Sequence, residues 1–239
     1  MDHQELGDKV EGMEKGLDSI LPQEKKERQG TLISIEGVDG AGKSTIAVQL
    51  EHKLIKAGYR VQMVREPGGT SVSEKIRELL LDPLNQEMVP RTEAMLYAAA
   101  RIQLIVQVLE SCLKDGMVVI CDRYTDSTLA YQGGGRGIDQ DWLRTLNRLA
   151  AQELVPDLTL LLDVEPILGR KRRWEKYNDR KLVVDRLEAE SDAFYQRVRE
   201  TYLKLAKEEP KRIKVINAGK SRLEVEAEAW SLVREALVR

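Results

Sequence analysis

Residues 37–45 read GVDGAGKST, and this stretch decides the class of fold. Gly37, Gly42, Lys43 and Ser44 satisfy G-x-x-x-x-G-K-[S/T]. They stand directly after the β-branched run TLISIE at 31–36 and open a helical stretch that reaches Lys56. Strand, glycine-rich turn and helix are the context this motif requires. Glycines let successive backbone N–H groups face inward as an anion nest, and the helix N-terminus adds its free N–H groups and dipole. The loop Gly37, Val38, Asp39, Gly40, Ala41, Gly42, Lys43, Ser44, Thr45 is therefore expected to wrap the phosphates of a nucleoside triphosphate. Lys43 would reach the β- and γ-phosphates, and the Ser44 hydroxyl would ligate Mg2+. Such a loop serves kinases, GTPases, motors and binding modules alike, so the rest of the chain has to choose.

Outward from the loop, strands and helices alternate. RVQMVRE (60–66), MVVICD (117–122), LTLLLDV (158–164) and IKVIN (213–217) read as further strands. Helices are expected over SVSEKIRELLL (71–81), from about Thr92 to Lys114, and from about Glu224 onward. The strands are nearly continuous apolar runs, as buried parallel strands are. The fold class is α/β: a P-loop three-layer fold with a five-stranded parallel sheet flanked by helices. One domain is expected over 30–239. Residues 1–29 form a charged extension, partly helical or disordered; Leu6, Val10, Met13, Leu17 and Leu21 recur at helical spacing, which also suits a partner-docking helix.

With 38 Lys plus Arg against 40 Asp plus Glu, the charge balance excludes a generic nucleic-acid coat and electrostatic membrane binding. No apolar run is read as approaching transmembrane length. Cys112 and Cys121 form no C-x-x-C pair, which fits a reducing cytoplasm.

Phosphoryl transfer to a small acceptor needs a second cationic cradle facing the first. Arg65 ends the second strand and Arg123 follows the third, on the carboxyl edge of the sheet where α/β folds bind ligands. Arg101 stands on the long helix. Asp122 closes an apolar strand at a metal-holding position, and Asp163 closes another in the same way; Asp122 is preferred because Arg123 follows it. The basic run RKRRWEKYNDRK at 170–181 suits a lid bringing arginines over the transferred group.

Five stretches, EGVDGAGKST (36–45), REPGGT (65–70), DRYTDSTLAYQGGGRG (122–137), PDLTLLLDV (156–164) and DRLEAESDAFYQRV (185–198), together resemble the thymidylate kinases, from about Thr31 to at least residue 205. The resemblance implies transfer of the γ-phosphoryl group of ATP to dTMP with Mg2+, and a small helical lid over about 168–188. It implies that Asp39 contacts the 3′-hydroxyl of dTMP, Arg65 holds its phosphate, Tyr97 stacks on thymine and Arg101 bonds the base. Arg123 would bridge phosphates, Thr128 and Tyr131 would line the nucleoside pocket, and Gln132 would add a polar contact. Metal ligation would fall to Ser44 and Asp122. Catalytic charge would come from Lys43, Arg123 and the lid arginines Arg172 and Arg180, with Arg173 a further candidate. Two departures stand out. Ala100 precedes the helix arginine where many members have Asp, and the lid is longer than a compact one. Gly40 stands where some members place an arginine, which moves that charge to the lid. The family also implies a homodimer through the helix at about 92–114, and no nucleic-acid or membrane partner. Another kinase of the same fold, or a nucleotide switch without transfer, are the rival readings.

Overall fold

A computed structural model describes residues 29–180 and 185–238; the N-terminal amphipathic pattern lies outside these residues. Five strands form one parallel sheet: β1 (Thr31–Glu36), β2 (Val61–Arg65), β3 (Val118–Asp122), β4 (Leu158–Asp163) and β5 (Ile213–Asn217), in the order β2-β3-β1-β4-β5. This is the expected sheet. β1, β3 and β4 have neighbours on both sides and are almost wholly buried, whereas β2 and β5 are edges and leave Met63 and Val215 exposed.

Alternation along the central strands divides the core. Ile33, Ile35, Val118 and Ile120 face one apolar layer; Leu32, Val119 and Cys121 face the other. The first layer is closed by α1 (Lys43–Lys56) and later helices. The second is closed by the long helix α3, which follows α2 (Ser71–Leu81). α3 runs over Pro90–Lys114 and is longer at its start than expected, because Pro90 takes the first helical position, where its missing N–H costs nothing. A single π turn over Ile105–Leu109 interrupts it.

By length and composition α3, 25 residues with an 18-residue window of mean hydropathy 1.3, is apolar enough to cross a membrane. That corrects the expectation that no run approaches this length. Its apolarity has two local uses. One face, with Ala98, Leu104, Ile105, Leu109 and Leu113, is buried in the core, and Met95, Ile102 and Val106 form an exposed stripe. Arg101 at its middle is buried by protein.

The segment after β3 begins as α4 (Thr125–Thr128) and widens into a π turn over Leu129–Gly135. Then follow α5 (Gln140–Ala151) and α6 (Pro166–Arg180), which carries the basic run as a helix. α7 (Asp192–Glu208) comes next, and α8 (Arg222–Leu237) closes the chain. α8 begins earlier than expected: Ser221 accepts from the Glu224 N–H while the Glu224 side chain returns to the Ser221 N–H, a capping box.

The glycines of QGGGRG are packing residues. A Cβ on Gly134 would stand 2.9 Å from the Arg197 carbonyl, and one on Gly135 would lie 2.6 Å from the Phe194 ring. Their bareness lets the π turn lie flat on α7, where the Arg197 guanidinium bonds the carbonyls of Gly134 and Gly135. Gly135→Val should therefore overpack this contact and destabilise the protein by about 1–3 kcal/mol. Thermal melting of the variant tests it; an unchanged melting temperature would show that the seat is slack.

Candidate active site

The carboxyl ends of β1, β2 and β3 surround a cleft lined by Asp39, Glu66, Tyr97, Arg101, Arg123 and Gln132 among others. The phosphate loop forms one wall. Gly37, Gly40 and Gly42 have φ of 136°, 82° and 94°, the left-handed conformations that bare backbone permits. Val38 and Ala41 turn their side chains into the core, while Gly42, Ser44 and Thr45 remain exposed at the mouth. Lys43 is folded back onto its own loop, donating to the carbonyls of Gly37 (3.1 Å) and Val38 (3.0 Å). Burial, then the neighbouring Arg123, lower its pKa to about 8.

Ser44 Oγ donates to Asp122 Oδ2 at 2.7 Å, so the two expected metal ligands meet at the loop mouth. Two hard oxygen donors fit a Mg2+ that keeps water and takes its remaining ligands from substrate phosphates. Asp163 is occupied otherwise: Arg199 grips both its oxygens, at 2.7 and 3.0 Å. Of the two strand-end acids, Asp122 is the one beside the loop.

Arg123 is the centre of the site. Its φ is 73°, a left-handed geometry that costs a non-glycine residue about 1–2 kcal/mol. The side chain repays this through its partners. Nη1 donates to the Gly37 carbonyl, Ser127 and Tyr202; Nη2 pairs with Asp39 and bonds Tyr131. Asp39 is thereby held well below the usual carboxylate range: burial opposes this, but the charges of Arg123, Lys43 and Arg173 prevail.

Arg101 is buried at 1% exposure yet fully engaged. Nε donates to Glu66 (2.8 Å), Nη1 to Asn147 (2.8 Å) and Nη2 to Thr128 (3.2 Å), over the face of Tyr124. It lines the cleft, and it is also a bolt between α3, α5 and the turn after β2. Removing it would strand Glu66 as a buried charge, at a cost of about 3–5 kcal/mol. Thr128, Tyr131, Gln132 and Tyr97 line the same cleft, and Gln132 is fixed by a 2.8 Å bond to Glu93.

Two placements differ from what the sequence suggested. Arg65 does not line the cleft; half-exposed, it pairs with Glu74 at 2.8 Å. Arg77, one turn further along α2, lines it instead, braced on the Pro67 carbonyl. No motif marks Arg77, because its approach depends on how α2 packs. In the basic run, Arg172 donates to the Ala218 carbonyl (2.9 Å), in the turn NAGKS at 217–221 that follows β5. Arg173 lies over Tyr195, bonds its hydroxyl at 3.1 Å, and leaves its Nε buried without a partner. Arg180 closes α6, and its side chain is outside the described positions.

α6 reaches the loop through a second pair of bare backbones. A Cβ on Gly40 would strike the backbone of Gly169, and one on Gly169 would stand 2.6 Å from the Asp39 carbonyl. A side chain at position 40 would therefore displace the arginine helix from the loop.

Comparison with known proteins agrees with this geometry. The family model described as thymidylate kinase matches residues 35–229. A thymidylate kinase of Pelotomaculum thermopropionicum is 47% identical over 209 residues, covering 87% of this chain and 95% of that protein. One from Geobacter sulfurreducens is 47% identical over 191 residues, 80% of this chain and 90% of that protein. One from Deinococcus radiodurans is 44% identical over 207 residues, 87% and 98% of the two chains. With a family model matched over residues 35–229 and similarity along nearly its whole folded length, the chain belongs to the thymidylate kinase family.

Proposed function

We infer that the protein is a dTMP kinase, transferring the γ-phosphoryl group of ATP to the 5′-phosphate of dTMP to give dTDP and ADP. The observation that carries this reading is the position of Arg123, a half-buried cation that bonds the glycine-rich loop through Gly37 and Asp39 and lines the cleft. An acceptor phosphate oxygen attacks the γ-phosphorus while the bond to the β-bridging oxygen breaks. The acceptor is already anionic, so no strong base is needed, and positioning and charge neutralisation carry the rate.

Lys43 would leave the loop carbonyls for the β- and γ-phosphates, since a phosphate anion offers more than a neutral carbonyl. Mg2+ held by Ser44 and Asp122 would supply charge to the triphosphate oxygens. Arg123 would bridge donor and acceptor, with Arg77 approaching the acceptor phosphate from α2 and Arg65 at the rim. Tyr97 would stack on thymine, Arg101 and Gln132 would meet its polar edge, and Asp39 would take the sugar hydroxyl, with Thr128 and Tyr131 beside it. Among the described arginines of α6, Arg173 suits the transferred phosphoryl group and Arg172 the adenine side. The exposed stripe Met95, Ile102, Val106 suits a homodimer through α3, and two free cysteines suit a cytoplasmic protein.

Product analysis of purified protein with ATP, Mg2+ and a panel of dTMP, dUMP, dCMP, dGMP and thymidine tests the reading. dTDP should dominate, and Lys43→Ala should abolish it while the fold, followed by circular dichroism, survives. Wild-type-like turnover in that variant would overturn the loop assignment. Arg173→Ala should lower kcat by about a hundredfold, the scale of one lost transition-state cation, whereas Arg172→Ala should act mainly on KM for ATP; the reverse pattern would exchange their roles. In sedimentation at micromolar concentration the wild type should run as a dimer and Ile102→Glu as a monomer, and a monomeric wild type would remove the dimer from the proposal.

A further inference from the structure

Directly behind the loop lies a carboxylate to which no role has yet been given. Glu36 is the last residue of β1 and is completely buried. Its Oε1 accepts the Tyr124 N–H at 2.7 Å. Its Oε2 accepts two hydroxyls, Ser127 Oγ at 2.6 Å and Tyr202 OH at 2.8 Å. The same two hydroxyl oxygens accept from Arg123 Nη1, at 3.3 and 3.4 Å.

A hydroxyl has one hydrogen to give. While Glu36 takes the hydrogens of both Ser127 and Tyr202, whose oxygens stand 2.8 Å apart, neither hydroxyl has a hydrogen left for the other and both turn lone pairs toward the guanidinium. We propose that Glu36 is a positioning residue for phosphoryl transfer: as an acceptor-only carboxylate it fixes the hydrogen-bond polarity of Ser127 and Tyr202 and so holds Arg123 aimed between the two phosphates. It touches neither substrate. Its second contact, to the Tyr124 N–H, clamps the turn in which Arg123 has its left-handed backbone. The proposal rests on the dTMP kinase reading and names what keeps its central cation in place.

An amide at this position cannot do the same. If its oxygen keeps the Tyr124 N–H, its NH2 faces the two hydroxyls and turns their hydrogens toward Arg123. If it flips, its NH2 meets the Tyr124 N–H. Either arrangement opposes a donor to a donor. The groups facing Glu36 are Asp126 and Tyr202, with Arg123, Lys43 and Cys121 nearby. Burial, then the charge of Asp126, raise the Glu36 pKa to about 7. Protonation would act as the amide does, so the wild-type advantage is present above that pH and fades below it.

Steady-state kinetics on folded enzyme test this. Glu36→Gln should lower kcat about ten- to a hundredfold, the range for hydrogen bonds to a charged group, with KM for dTMP changed far less. The ratio of wild-type to Glu36→Gln kcat should narrow from about pH 8 to about pH 6. Adding Tyr202→Phe to Glu36→Gln should cost nothing more or restore part of the rate, since it deletes a misdirected hydroxyl; a merely structural role gives losses that multiply. If Glu36→Gln fails to fold, Ser127→Ala with Tyr202→Phe should show the same kcat loss, because it removes both relays. Near wild-type kcat in these variants, or multiplying losses, overturns the proposal. Absence of dTDP from the wild type, or full activity of Arg123→Ala, would instead overturn the underlying reading.

Discussion

A single half-buried guanidinium, that of Arg123, joins the structural elements of the site. It reaches the phosphate loop through Gly37 and Asp39, the π turn through Tyr131, and α7 through Tyr202. Burying such a charge is unfavourable unless it is paired and hydrogen-bonded throughout. Here Asp39 and Glu36 stand on either side, one in direct contact and one through two hydroxyls. Each partner thus depends on the others, and the cleft is shaped before any nucleotide enters. Preorganisation of this kind is what makes fixed charges effective in transfer, because little reorganisation remains for the reaction itself.

Bare backbone recurs wherever two parts of the site must touch. Gly40 and Gly169 bring the arginine helix onto the loop, and Gly134 and Gly135 bring the π turn onto α7. These contacts put Arg173 above Asp39 and Tyr195 beside Tyr131. The glycine run Gly133–Gly135 is, in three dimensions, a packing surface. It differs from the phosphate loop in dihedral angle. The phosphate loop has three glycines at positive φ; of the run Gly133–Gly135, none is in that region.

The α/β class, the sheet of five strands and the phosphate loop were legible in the sequence, because each rests on short-range pattern: apolar runs, one glycine-rich motif and its flanking elements. That Ser44 and Asp122 meet was legible for the same reason, each standing at a marked end of a strand or loop. Arg77 was not, since nothing local distinguishes one arginine of an amphipathic helix from another. Arg65, which ends its strand as a ligand-binding arginine should, turns outward to Glu74. Arg101 was singled out for the base, yet its load as a core bolt against Glu66 and Asn147 joins residues 35 and 46 positions away, a separation no periodicity reveals.

By itself, then, the sequence determined which side chains the chain brings to its sheet edge: a glycine-rich loop with a lysine, a serine and an aspartate at marked ends of loop and strand, and a supply of arginines near strand ends. Those features depend on residue type and on spacing along the chain, which local backbone geometry converts directly into shape. Only the tertiary structure decided which cations face the cleft. It brought Arg77 rather than Arg65 to the cleft, gave Arg172 and Arg173 different partners in Ala218 and Tyr195, and tied Asp163 to Arg199. The physical reason is that a long flexible side chain can find partners in several directions. Which one it takes is set by the acceptors that distant elements bring within hydrogen-bond reach.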